Sequence, residues 1–309
     1  MRDIFSEGLL YLDLLEIYGS SYSVAELCGV AQSNVFRGAN ACSKLLNLGL
    51  KKDRSAGRYE VVRNQDVQRD LRRLNQRLRA RENGQLRVVA PPHAIPSPLP
   101  LKQASLLRAL PERWDDQQRS LSYLERGLLD LVLMPSWSLP TGIPWPQRAR
   151  RSDLFLPAQP FVLTELAPWP LVLLAPPSRE SSAQAPVSLL KTQPLPLDLR
   201  KQLPIAVDHD EEVGGAEALL EAVLNDPSAW VLGTPPDLQA LLTRADAPPL
   251  ELVAWESGPR DPALLLFSLP NLVVEPLHQE LTAMLRQHAI DTSEHAMQAL
   301  KFRCSSQAA

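Results

Sequence analysis

Over the first eighty residues, apolar positions recur at helical intervals. Between Ile4 and Tyr18, the side chains of Phe5, Leu9, Leu12, Leu15 and Leu14 or Ile17 share one side, which predicts an amphipathic helix. Ser23 followed by Glu26 fits a capping box, and Val24, Leu27 and Cys28 behind it predict a second, short helix. Gly29 breaks that helix. From about Gln32, the stripe Val35, Ala39, Cys42 and Leu46 predicts a third, whose other face carries Ser33, Arg37, Asn40 and Lys44. Gly49 and the run Ser55-Ala56-Gly57 mark turns, and alternation at Tyr59 and Val61 suggests a small hairpin. Asn64 is placed as the N-cap of a further helix over 64–82. Its apolar residues Val67, Leu71, Leu74 and Leu78 form a stripe of about two heptads, suited to dimerisation. Its arginines are expected either in solvent or over a nucleic acid.

Past residue 85 the pattern changes. Short apolar runs at Leu86–Ala90, Leu129–Met134, Leu171–Ala175, Ile205–Val207, Trp230–Leu232 and Leu264–Phe267 suit buried parallel strands. Helical stretches at Leu101–Leu110, Leu121–Arg126, Ala216–Val223, Pro236–Leu242 and Pro276–His288 lie between them, the alternation of an α/β fold. The Pro/Trp-rich segment 135–160 is a long irregular excursion.

Composition divides the chain at the same place. All 29 prolines lie at Pro91 or beyond, and all six tryptophans at Trp114 or beyond. Residues 1–84 hold 14 Lys+Arg against 10 Asp+Glu, whereas the remainder holds 18 against 25. A basic head on an acidic body points to a nucleic-acid arm attached to a ligand or partner domain. The 309 residues suffice for two or three units. No apolar stretch is long enough to span a membrane, and the N-terminus is too acidic for a signal peptide. Cys28, Cys42 and Cys304 form an odd set without a CxxC, so a reducing cytoplasm is expected.

Helix, helix–turn–helix and hairpin together make a winged helix-turn-helix, whose second paired helix enters the major groove of double-stranded DNA. On that helix Arg37 suits guanine and Asn40 adenine, while Ser33 and Lys44 suit phosphates. Gln32, Asn34 and Phe36 complete the candidate surface, with Phe36 either touching a thymine methyl or packing inward. Lys51, Lys52, Arg54 and Arg58 would set the wing on the adjacent backbone. The plain alternative is a surface helix of a small domain. No GxSxG, GxxxxGK[ST], HExxH or GxGxxG occurs, so no enzyme and no cofactor is expected. The run Asp208-His209-Asp210-Glu211-Glu212 tempts a metal reading but is expected to be a solvated loop without metal. His288 and His295 are expected at the surface near a helix end. Cys28 and Cys42 are read as core residues of the helix-turn-helix.

In its order of pieces the chain resembles the LysR-type transcriptional regulators. The resemblance runs through GSSYS (19–23), VAQSNVFR (30–37), the linker helix, GQLRVVAPP (84–92), YLERGLLDLVLM (123–134) and VLTELAPWPLVLLAPPSR (162–179), then more weakly VLNDPSAWVLGTPP (223–236). Cys42-Ser43 stands where the family has Leu-Glu, and the polar run DDQQRS fills 115–120, where it has a strand. The resemblance implies a mixed fold: a winged helix-turn-helix head (1–63), a linker and dimerisation helix (64–83), and a two-lobed α/β body like type II periplasmic binding proteins (84–309). Lobe I would comprise 84–164 and 255–309, and lobe II 165–254. It implies a homodimer or homotetramer, and an effector cleft for which His93, Ser97, Thr164, Asp208, His209 and Gly214 are candidates. A helix N-terminus suits an anion because its free N–H groups point outward. Pro96, Pro98 and Pro100 lack that N–H, and the DHDEE run repels anions. The expected effector is therefore absent, neutral, cationic or a protein. The competing class is a small-molecule-binding module of the same body fold, whose head serves dimerisation or protein interaction.

Overall fold

The computed structural model describes residues 6–53, 58–81, 85–91, 93–96, 105–108, 117–139, 153–155, 161–177, 187–192, 197–213, 216–244, 247–253, 255 and 262–307. Three helices, α1 (Ser6–Tyr18), α2 (Ser21–Cys28) and α3 (Gln32–Leu45), precede a hairpin of β1 (Leu50–Asp53) and β2 (Arg58–Val61) and the helix α4 (Gln65–Arg79). The body then runs β3 (Gln85–Val89), β4 (Ser105–Arg108), α5 (Gln117–Glu125), β5 (Leu131–Pro135), β6 (Asp153–Phe155), β7 (Val162–Pro168), β8 (Val172–Ala175) and β9 (Val187–Lys191). It continues through α6 (Leu197–Arg200), β10 (Val207–Glu212), α7 (Ala216–Asn225), β11 (Trp230–Gly233) and α8 (Pro235–Leu242). Last come β12 (Glu251–Val253), β13 (Ala263–Ser268), α9 (Pro270–Val273) and α10 (Pro276–Gln307).

The body strands form two sheets, β4-β3-β5-β13-β7-β6 and β10-β9-β11-β8-β12. Neither is wholly parallel, contrary to the expectation from their apolar runs. β3, β4 and β5 are parallel to one another, but β13 is antiparallel to both β5 and β7. In the second sheet β9, β10 and β11 are parallel, and β8 runs against β11 and β12. A strand buried on both faces reads as an apolar run whichever way its neighbour points, so direction is invisible in the sequence.

Four further expectations need correction. Ser105–Arg108, expected within a helix, is strand β4; short apolar runs are ambiguous by periodicity, and the open edge of β3 settles the matter by pairing. The DHDEE run is not a loop but the edge strand β10, hydrogen-bonded in parallel to β9. Charge on an edge strand discourages pairing with a further chain, which suits its place. The helix expected to stop at His288 continues to Gln307. Its first half packs under the six-stranded sheet, where Leu281 and Leu285 are buried. Its second half places Leu300 and Cys304 in the core of the five-stranded unit, away from the lobe to which the sequence reading assigned it. Finally, α2 begins before the expected capping box. Ser20 is its N-cap and accepts from the Ser23 amide at 3.3 Å.

The head does not stand apart from the body. Leu9, Leu12, Leu14, Leu15 and Ile17 of α1 belong to the same buried cluster as Leu86, Val88, Leu124 and Leu128 of the body. That is why α1 is covered nearly all round, instead of showing the polar outer face of a surface helix.

Candidate nucleic-acid interface

α2 ends on Gly29, which adopts a left-handed φ of 61°. The Gly29 amide donates to the Glu26 carbonyl and the Val30 amide to that of Ala25, closing the helix and turning the chain into α3. α3 then seats Val35, Ala39 and Cys42 in the core, as its apolar stripe predicts. Its contact with α1 is unusually close. A Cβ on Gly8 would stand 2.7 Å from the Cys42 Cβ, and one on Gly38 would stand 2.7 Å from the Tyr11 ring. Only glycine at these two positions lets the helices approach so far.

The opposite face of α3 is open: Ser33, Arg37, Asn40 and Lys44 are all exposed. Lys51 and Lys52 are exposed on the adjoining hairpin, and Arg58 starts its second strand, whereas Arg54 lies outside the described residues. Three of the expected groups have other engagements. Phe36 is half-buried, edge-on to the Tyr59 ring at 5.9 Å, so it ties α3 to the hairpin and does not point outward. Lys52 lies 5.3 Å above the same Tyr59 ring, a cation–π contact that holds its ammonium beside α3. Gln32 donates from Nε2 to the Ser21 Oγ at 2.8 Å, bracing the start of α3 against α2. Asn34, in the first turn, is half-buried.

Tyr22 was not singled out from the sequence. It stands 70% exposed on the first turn of α2. Placing the cap at Ser23 left it outside any helix, and so without a face. Cys42 is fully buried, and burial together with the nearby Asp13 charge pushes its thiol up to about 11. Burial also raises the Cys28 thiol. Neither thiol is poised as a thiolate near neutrality, which fits the core reading.

The helix α4 is built inside out. Gln68, Arg72 and Gln76 are buried, while Val67, Leu74 and Leu78 are exposed and Leu71 is half-buried. Arg72 donates to Asp13 Oδ1 at 2.8 Å and to Glu16 Oε2 at 2.6 Å, both on α1. Arg79 makes a paired contact with Asp130 at 2.8 and 2.7 Å, and Gln76 Nε2 donates to the Leu129 carbonyl at 2.7 Å. Arg72 and Arg79 are therefore neither solvated nor over a ligand, whereas Arg69, Arg73 and Arg77 stay exposed as expected. Asn64 does not cap α4 with its side chain either. It has a left-handed φ of 49°, and its Nδ2 donates to the Leu46 carbonyl at the end of α3.

In the body, the candidate cleft residues divide. His93, at a left-handed φ of 64°, brings Nε2 to 3.7 Å from Asp237 Oδ1 at the start of α8. Its carbonyl lies 3.0 Å from His288 Nε2 in mid-α10, so His288 is a junction residue and not one at a helix end. Thr164 is buried in β7. Asp208 and His209 are exposed on the edge strand β10. Ser97 and Gly214 lie outside the described residues. At α8, Pro235 and Pro236 supply no N–H, and the Asp237 carboxylate accepts from the Thr192 and Thr234 hydroxyls. Among the described residues, no group of three or more His, Cys, Asp or Glu is placed to hold a metal. No described helix is long and apolar enough to cross a membrane.

The described geometry is thus a helix–turn–helix and hairpin joined by a helix to a two-sheet α/β body. This is the fold of a full-length OxyR variant from Pseudomonas aeruginosa, at a TM-score of 0.50 and 15% identity over 95% of this chain and 97% of that one. A probable transcriptional regulator from Pseudomonas aeruginosa (16% identity, TM-score 0.48, 91% of this chain and 95% of that one) also aligns. So does ArgP from Mycobacterium tuberculosis (14%, 0.48, 91% and 96%). These neighbours are LysR-type transcriptional regulators. No protein-family model and no curated protein matches the sequence.

Proposed function

We propose that the chain is a sequence-specific DNA-binding transcriptional regulator of the LysR type, acting as a dimer or tetramer and without enzymatic activity. The observation that carries this reading is the open face of α3, where Arg37 and Asn40 stand exposed on a helix braced from behind by α1. A planar guanidinium and a side-chain amide are the two groups best matched to guanine and adenine edges in the major groove. Lys44, Lys51 and Lys52 border that face as phosphate contacts. The exposed stripe Val67, Leu74 and Leu78 supports a second copy of the chain as the partner of α4.

Arg37→Ala or Asn40→Ala should cost on the order of 1–3 kcal/mol on the preferred duplex and relax base preference at one position. Lys51→Ala should weaken all duplexes alike. Fluorescence-anisotropy titration on preferred and scrambled duplexes reads both; if Arg37→Ala and Lys51→Ala behave identically, the groove assignment fails.

The body is read as two lobes of the periplasmic-binding type, with a cleft that does not serve a small anion. Pro235 and Pro236 withdraw two donors from the start of α8, and Asp237 already engages the hydroxyls there. In thermal-shift screening of the full chain, metabolite carboxylates should leave the melting temperature unchanged. A carboxylate that stabilises the protein strongly, and loses that effect in Ser97→Ala, refutes this part.

A further inference from the structure

The strand β3 has a tie at each end. Within it, Arg87 is buried and reaches back out of the body to the head, donating from Nη1 to Asp13 Oδ2 at 2.6 Å. Asp130, just before β5, clamps the same residue from the body side: its carboxylate accepts the Arg87 amide at 2.8 Å, and its own amide donates to the Arg87 carbonyl at 2.9 Å. Asp13 in turn is held by Arg72 of α4, so head, linker helix and first body strand meet at one carboxylate. Glu16, one turn further along α1, pairs with Arg72 and with Arg126 at the end of α5. The Arg119 guanidinium also donates to the Ile17 carbonyl at 2.9 Å, and the Tyr123 hydroxyl lies 3.3 Å from that of Glu16. Beyond the other end of β3, the chain reaches His93, which faces Asp237 of the five-stranded unit and His288 of α10.

We propose that β3 is a coupling element, with Arg87 as its positioning residue, which fixes the head on its own body and links the junction at His93 to the reading helix α3. The path is short and made of close contacts. Displacing β3 moves the Asp13 carboxylate and with it α1. The glycine contacts at Gly8 and Gly38 leave no slack between α1 and α3, so α3 follows. A buried ion pair cannot slide freely, because any separation leaves charge unpaired in an apolar surrounding. α4 is held to the same junction from above. A Cβ on Gly127 would stand 2.9 Å from the Arg72 Cβ, so the helix lies directly on the α5–β5 turn. The consequence for transcription rests on the reading of α3 proposed above. The coupling is measured without DNA, so its failure and the failure of that reading are distinct outcomes.

Hydrogen–deuterium exchange of the full chain tests it. In the wild type, α1 amides should be protected as strongly as those of β3. Arg87→Met should speed exchange at α1 by about tenfold or more while β13 and the second half of α10 keep wild-type protection. Gly127→Ala, which crowds Arg72 and strains the α5–β5 turn at its φ of 76° without removing any charge, should release α1 in the same way and serves if Arg87→Met does not fold. His93→Ala should raise exchange at α1, although the described His93 contacts are to Asp237 and His288 in the body. Unchanged α1 protection in both Arg87→Met and Gly127→Ala overturns the coupling, as does a loss spread equally over α1 and β13. No response of α1 to His93→Ala overturns the link to the lobe junction.

Discussion

A Leu74→Asp/Leu78→Asp variant should run as a monomer in light scattering, and should lose about a hundredfold or more in affinity for a duplex carrying two half-sites. Both side chains are at least half exposed on α4, on the side turned away from the buried polar face formed by Gln68, Arg72 and Gln76. Leaving a leucine in water forgoes roughly 1.5–3 kcal/mol of burial, and a stripe of them on one helix is a surface awaiting an apolar partner. Two carboxylates in the middle of that stripe would have to be desolvated for a second copy to dock. Without the second head, one reading helix binds alone and the avidity of a paired site is lost. A double variant that remains dimeric moves the interface to the body.

The second large effect concerns the junction itself. Arg72→Met should lower the unfolding free energy by about 3–5 kcal/mol, because it leaves Asp13 and Glu16 buried with one countercharge fewer. Chemical denaturation of the full chain measures this; a loss below about 1 kcal/mol, the range of surface pairs, contradicts the buried network. Acid should act in the same direction. Burial favours the neutral form of Asp13, but the charges of Arg72 and Arg87 and the Arg87 hydrogen bond outweigh it and hold the carboxyl below its ordinary 3.8. A depressed carboxyl contributes stability that is fully present above the ordinary value and lost as pH falls through the lower folded one. The junction should therefore stay intact at mildly acid pH and loosen only below pH 3.8. Arg87 responds to the same burial in the opposite sense. Desolvation and the Arg79 charge depress it against the pull of Asp13 and Asp130, but its guanidinium stays charged throughout that range.

Much of this was legible in the residues. The three head helices, the Gly29 turn, the hairpin, the exposed face of α3 and the strands β3, β5, β8, β11 and β13 follow from periodicity and turn chemistry. Periodicity could not say which side of α4 is inside. Its apolar stripe is open, as a dimerisation surface requires, but α1 offers Asp13 and Glu16 and the body offers Asp130, and these claim Arg72 and Arg79 for the inside. The signal was present in α1, where two carboxylates interrupt an otherwise apolar LLYLDLLEIY, but a buried acid has no reading until its partner is known. The edge strand β10 was hidden because charge reads as loop, and the hydrogen bonds that make it a strand come from β9, some twenty residues earlier in the chain. The partner of His93 was hidden for a related reason. His93 and Asp237 meet across a contact between distant elements, whereas Asp208 and His209 were grouped only by composition.

The most direct test of the central claim is selection from a pool of random-sequence duplexes by the full-length protein at about 0.15 M salt, repeated with Arg37→Ala. The reading of α3 predicts enrichment of one motif with approximate two-fold symmetry, and loss of base preference at a single position of each half-site in the variant. A wild-type pool that stays random, or a motif that Arg37→Ala leaves unchanged, contradicts it.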